Sequence, residues 1–239
     1  MATFILIHGS MHGGWCWEEV AMQLAAAGHR VLAPDLPGRP GNPAPRADCT
    51  LTASSDLVAA LVDGCDEPAI LVGHSAGGVV VSAVAERVPA QVARLVYVAA
   101  LLLPEGEAFA QYVAPMPMIA TDDGMAVAVR DDATAAQWMY NRSDPAAAAV
   151  AASRLVPESV FAFSPPLRIT PERFGRVPRT YVGCLHDLAV PIDGQRRMNA
   201  ELPCEQFVEL DADHSPWLSR PAELAAILDR LSRGGAIGG

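Results

Sequence analysis

The sequence predicts one α/β domain, a mostly parallel sheet with helices on both faces and a cap inserted at about 104–178. Three observations carry this expectation. Short apolar runs of strand length alternate with stretches of helical period; the alternation pauses between Pro104 and Pro178; it then resumes with two further runs and a closing helix.

In chain order, residues 4–7, 30–33 and 69–72 are the first three strand-like runs. Between the first two, Trp17, Val20, Ala21 and Leu24 recur at i, i+3, i+4 and i+7 and stop at Gly28, which predicts a helix. Before the third, capping residues between Thr52 and Asp56 lead into Leu57, Ala60 and Leu61, a second helix. A third helix follows Ser75 and ends near Val88, ahead of Pro89, and residues 95–99 form the next strand. A helix between successive strands is a crossover, and crossovers make strands parallel. From 104 to 178 no strand alternation is visible. Prolines are frequent there, and Phe109, Tyr112, Met116, Met118, Trp138, Met139 and Tyr140 are scattered among them, as expected of an inserted cap. Strands return at 180–185 and 206–210, and a helix from near Pro221 carries Leu224, Ile227, Leu228 and Leu231 on one face. The tail 234–239 has little to pack and is expected to fray.

Composition agrees with one well-filled core in a single domain spanning 1–239: 51% of residues are apolar and 18% charged. The formal net charge of −10, with 17 Lys+Arg against 27 Asp+Glu, repels phosphate backbones and anionic lipid, which argues against nucleic-acid and membrane partners. The chain enters its first apolar run without a basic leader, and no apolar run approaches the roughly 18 residues of a membrane span, so a cytoplasmic protein is expected. The cysteines, Cys16, Cys49, Cys65, Cys184 and Cys204, are odd in number, dispersed and without a CxxC pair; free buried thiols are expected rather than disulfides or zinc. No metal or organic cofactor is called for.

The chemistry gathers at Gly73-His74-Ser75-Ala76-Gly77. A serine hydroxyl is a weak nucleophile that needs a base, and the base needs an orienting acid. The pattern G-x-S-x-G has its meaning from context. Here a strand precedes it and a helix follows, and the glycines let the chain reverse sharply and present Ser75 exposed and strained at a helix start. The alternative is a serine that merely caps a βα turn. In this context the segment resembles the nucleophile elbow of the α/β-hydrolase fold, in which the acid and then the histidine follow the serine along the chain. His214, between the last strand and the last helix, fits the base, with His186 the one late competitor. Asp187, two residues beyond the run 180–185, fits the acid; Asp193 is its rival, and Asp211 and Asp213 read as solvated or turn-forming carboxylates. The oxyanion donors are expected to be the N–H groups of Ala76, next to the nucleophile, and of Ser10, in the glycine-rich loop His8-Gly9-Ser10-Met11-His12-Gly13-Gly14. That loop lacks the phosphate-binding patterns. His12, Trp138 and Met139 are the candidate substrate-binding residues, His12 with hydrogen bonding inside its own loop as the alternative role.

Nearly the whole chain resembles the plant methyl-ester esterases and hydroxynitrile lyases with their bacterial esterase relatives. The resemblance rests on residues 4–10 with His12-Gly13-Gly14-Trp15-Cys16-Trp17, on residues 71–78, on 177–182, on Asp187 with Pro191 and Gln195, and on Asp213-His214-Ser215-Pro216. It implies a Ser-Asp-His triad at Ser75, Asp187 and His214. Two departures bear on the reaction. Gly9 stands where the lyases carry a threonine, and Ser215 where they carry a lysine that holds the released cyanide. The expectation is therefore a serine esterase that cleaves a small apolar or aromatic carboxylic ester through an acyl-enzyme. The rivals are a lyase, lactone-forming enzyme or cyclase on the same triad, and a hydrolase-like small-molecule receptor with little turnover. The partners this leaves are a small-molecule ester and, in a homodimer, a second copy of the chain.

Overall fold

Six of the apolar runs form one sheet in the computed structural model, which describes residues 1–106 and 111–234. In chain order, β1 is Thr3–Ile7, α1 Glu18–Ala26, β2 Arg30–Leu32, α2 Leu51–Asp63, β3 Ala69–His74, α3 Gly77–Arg87 and β4 Val92–Val98. The cap follows with β5 Met118–Ala120, β6 Ala126–Val129, α4 Asp132–Met139, α5 Pro145–Ser153 and β7 Glu158–Ser159. The chain then returns through β8 Arg179–Cys184, α6 Ile192–Glu201, β9 Gln206–Leu210, α7 Pro216–Ser219 and α8 Pro221–Ser232.

The main sheet runs β2-β1-β3-β4-β8-β9, and every pairing in it is parallel. Strands buried on both faces read as unbroken apolar runs, and β1 shows why. Its residues alternate: Ile5 and Ile7 enter one apolar layer with Val58 of α2, Val84 of α3 and Met198 of α6, while Phe4 and Leu6 enter another with Leu24 of α1 and Leu228 of α8. Helices thus cover both faces, as expected. The thiols of Cys16, Cys49 and Cys184 are buried and all five are free, with Cys65 and Cys204 half-buried. No helix among the described residues is long and apolar enough to cross a membrane.

Three features differ from the expectation or extend it. Helix α6 shows no apolar stripe in sequence because it buries only Gln195 and Met198, so periodicity gives no sign of it. The cap, whose sequence shows no strand alternation, holds a three-stranded antiparallel sheet, β5-β6-β7, whose strands of 3, 4 and 2 residues are too short to show it. Its helices begin at Asp131 and Asp144, whose carboxylates accept from the Thr134 N–H and from the Ala146 and Ala147 N–H groups. Phe109 and the tail 235–239, expected to fray, lie outside the described residues.

The strand order reverses between β1 and β3: β2 lies on the far side of β1, and all later strands lie beyond β3. A reversal of this kind opens a crevice at the carboxyl ends of the two strands. Ile7 pairs with Gly73, so residues 8–10 and 74–76 leave the sheet side by side.

Candidate active site

Ser75 leaves β3 with φ +51°, a left-handed conformation that costs a residue with a Cβ about 1–2 kcal/mol. Neighbouring backbone holds it there. The Ser75 N–H donates to the Val98 carbonyl, and the Ser75 carbonyl accepts from Leu101 and Gly78. A Cβ at Gly77 would lie 2.6 Å from the Ile7 carbonyl oxygen, and one at Gly73 2.7 Å from that of Gly77, so the turn closes only with glycine at both positions. Ser75 itself is half-buried.

His214 Nε2 is 3.0 Å from Ser75 Oγ, and its Nδ1 is 2.8 Å from Asp187 Oδ2. A carboxylate accepts, which places the ring proton on Nδ1 and leaves Nε2 free to accept from the serine hydroxyl. Asp187 is buried and also accepts from the N–H groups of Ala189 and Val190, each at 2.8 Å, and from Gln195 Nε2 at 3.1 Å. Burial lifts its carboxyl above the usual range, against the pull of His214 and of those two N–H groups. The residue before the nucleophile anchors the base: His74 Nε2 donates to the His214 carbonyl at 2.7 Å.

The other carboxylates expected near the histidine are elsewhere. Asp193 is exposed and paired with Arg196. Asp211 is exposed and meets His186, which places that histidine away from Ser75. Asp213 takes the turn-forming alternative, accepting from the Ser215 N–H, and is fully buried. It also accepts from the Arg142 N–H and the hydroxyls of Ser143 and Ser219, which ties the histidine loop to the cap.

In the loop after β1, two buried histidines orient two successive peptides. His8 Nδ1 donates to the Gly9 carbonyl and His12 Nδ1 to the Ser10 carbonyl, both at 2.8 Å. Each Nε2 then accepts, from the Leu36 N–H in His8 and from the Tyr140 hydroxyl in His12. Both rings stay neutral because burial pushes His8 down to about 4 and His12 down to about 3. Fixing the Gly9 carbonyl fixes the N–H on the far side of the same peptide, that of Ser10. Among the described residues neither the Ser10 N–H nor the Ala76 N–H has a protein acceptor. Two unused donors beside an aligned serine suit a developing oxyanion.

Above Ser75 and His214 lies a cavity of about 510 Å³, walled mainly by apolar side chains including Met11, Leu101, Met116, Met139, Val160 and Phe163. His12 and Met139 line it. Trp138 does not: it packs against the apolar layer that holds Phe4 and Leu6. Among the described residues the one carboxylate in the wall is Glu158, a buried residue that sequence reasoning missed.

The model of the alpha/beta hydrolase family matches residues 4–227. The chain belongs to that family. Over a 253-residue alignment the hydrolase is 32% identical to methylesterase 7 of Arabidopsis thaliana, which covers 94% of each chain. It is 31% identical to the pyrethroid hydrolase of Sphingobium wenxiniae, across 96% of this chain and 87% of that one. Its fold is also that of the crystal structure of the Arabidopsis methylesterase MES16, with a TM-score of 0.86, 24% identity and coverage of 98% and 100%.

Proposed function

We propose that this carboxylic ester hydrolase cleaves an uncharged ester with an apolar or aromatic group through an acyl-enzyme on Ser75. The observation that carries the reading is the continuous chain Ser75 Oγ, His214, Asp187 at the foot of an apolar cavity of about 510 Å³. In this mechanism His214 takes the Ser75 proton as the hydroxyl attacks the ester carbonyl, and Asp187 keeps the ring oriented and stabilises its charge. The N–H groups of Ser10 and Ala76 receive the oxyanion, and His214 returns its proton to the leaving alcohol. Water, deprotonated by the same histidine, then releases the acid and restores Ser75. No step calls for a metal or an organic cofactor.

Lyase chemistry is less well served. Among the described residues the cavity wall contains no lysine or arginine to hold a departing anion, and Ser215, at the lyases' lysine position, is buried. A Cβ at Gly9 would lie 2.8 Å from that of Ser75 and 3.0 Å from His74 Nδ1, so a threonine there displaces the nucleophile's surroundings. The names of the relatives, a methylesterase and a pyrethroid hydrolase, support an ester as substrate.

An ester panel tests the substrate class. Neutral phenylacetate and medium-chain acyl esters are expected to exceed esters bearing a free carboxylate by about tenfold or more in kcat/KM, since a second anion would be desolvated beside Glu158 in an apolar wall. Equal rates for the charged esters would contradict the assignment of the cavity. Tight binding without turnover across the panel would favour a receptor instead.

A further inference from the structure

We infer that Glu158 of the cap is a positioning residue for the oxyanion donor, holding the loop at Met11 so that the Ser10 N–H faces the reacting carbonyl. The inference rests on the Ser75 reading above and assigns the cap a part in it. Met11 has φ +63°, a conformation that a residue with a Cβ keeps only where its surroundings hold it. The cap grips both of its backbone groups. Glu158 Oε2 accepts from the Met11 N–H at 2.9 Å, and the Val156 N–H donates to the Met11 carbonyl at 2.9 Å. A third tie runs from the Tyr140 hydroxyl through His12 to the Ser10 carbonyl, with both hydrogen bonds at 2.8 Å.

The peptide between Ser10 and Met11 is therefore fixed at both ends, its carbonyl by His12 and its N–H by Glu158. Its neighbour carries the Ser10 N–H. Releasing the Met11 N–H frees this residue to leave its left-handed conformation, the peptide before it turns with it, and the Gly9–Ser10 peptide with its Ser10 N–H is then held only by the His8 hydrogen bond to the Gly9 carbonyl. The carboxylate is itself held: Arg39, 4% exposed, donates through Nη2 to the same Oε2 at 2.5 Å. One oxygen thus accepts from loop and arginine together. Because Glu158 also lines the substrate cavity, the cap that encloses the ester also sets the donor that stabilises its oxyanion.

The test compares Glu158→Ala with Glu158→Gln, whose amide oxygen can accept both hydrogen bonds without the charge. Neutral-ester kinetics would be measured alongside affinity for a trifluoromethyl ketone, which forms a tetrahedral adduct on the serine. Glu158→Ala is expected to lower kcat by about 10²-fold, the effect of losing an oxyanion donor, with KM changed less than about threefold. Ketone affinity should fall by a similar factor. Glu158→Gln should recover most of both. Tyr140→Phe, which breaks the third tie, should lower kcat by about tenfold and serves if Glu158→Ala does not fold. Loss of thermal stability with kcat intact, or equal impairment of the Ala and Gln variants, would overturn the inference. Wild-type protein that neither turns over the ester nor binds the ketone would overturn the Ser75 reading itself.

Discussion

Replacement of His214 by alanine is expected to lower kcat for a neutral ester by on the order of 10⁶, and Asp187→Asn by about 10⁴. The two numbers differ for a reason visible in the geometry. Without His214 no group at 3.0 Å can take the Ser75 proton, and the hydroxyl is left as a weak nucleophile. Asparagine at 187 can keep the shape but presents an amide N–H toward His214 Nδ1, which favours the ring tautomer with its proton on Nε2, facing the serine. Steady-state kinetics on the two variants, with near-UV circular dichroism to confirm an intact fold, reads both effects. Turnover within tenfold of wild type in either variant would remove that residue from the mechanism.

The second large effect is on acid stability. Burial depresses His8 to about 4, His12 to about 3 and His74 well below its ordinary value. All three remain neutral in the folded protein as pH falls, whereas in the unfolded chain they take up protons below about 6.5. The stabilisation is therefore present above that pH and is lost as the solution is acidified toward the folded values. Asp187, raised by burial, works in the opposite direction but is one group against three. Unfolding should take up between two and three protons, so stability should fall by about 3–4 kcal/mol per pH unit between 6 and about 5. Urea unfolding at pH 7, 6 and 5 measures the slope. His12→Asn should reduce it by about 1.4 kcal/mol per unit, one proton's worth. A flat profile between pH 7 and 5 would show that these rings do not titrate as their burial requires.

How much of this was legible depended on how local each cause is. Strands β1 and β3 announce themselves because both of their faces are buried, and the elbow because its glycines are forced by contacts within a few residues and with the adjacent strand. Asp187 could be preferred over Asp193 because the carboxyl end of a strand points into the crevice, and the exposed pairing of Asp193 with Arg196 agrees with that preference. The cap was harder. Two-residue β7 carries no periodicity, and nothing in the local sequence separates Met139, in the cavity wall, from Trp138, which packs away from it. Glu158 was out of reach for a different reason. Its partner Met11 is 147 residues away, and only the folded cap brings the carboxylate to the loop. The burial of Asp213 was out of reach in the same manner, since an acidic residue beside a loop histidine looks solvated until the cap's Arg142 and Ser143 cover it.

The central claim is that Ser75 is the nucleophile, and covalent labelling tests it most directly. Wild-type protein treated with a fluorophosphonate should take up one equivalent on the peptide carrying Ser75, located by mass spectrometry, and should lose ester hydrolysis in proportion to the fraction labelled. Ser75→Ala should neither label nor turn over. Labelling at another serine, or hydrolysis that persists after Ser75 is fully modified, would contradict the account.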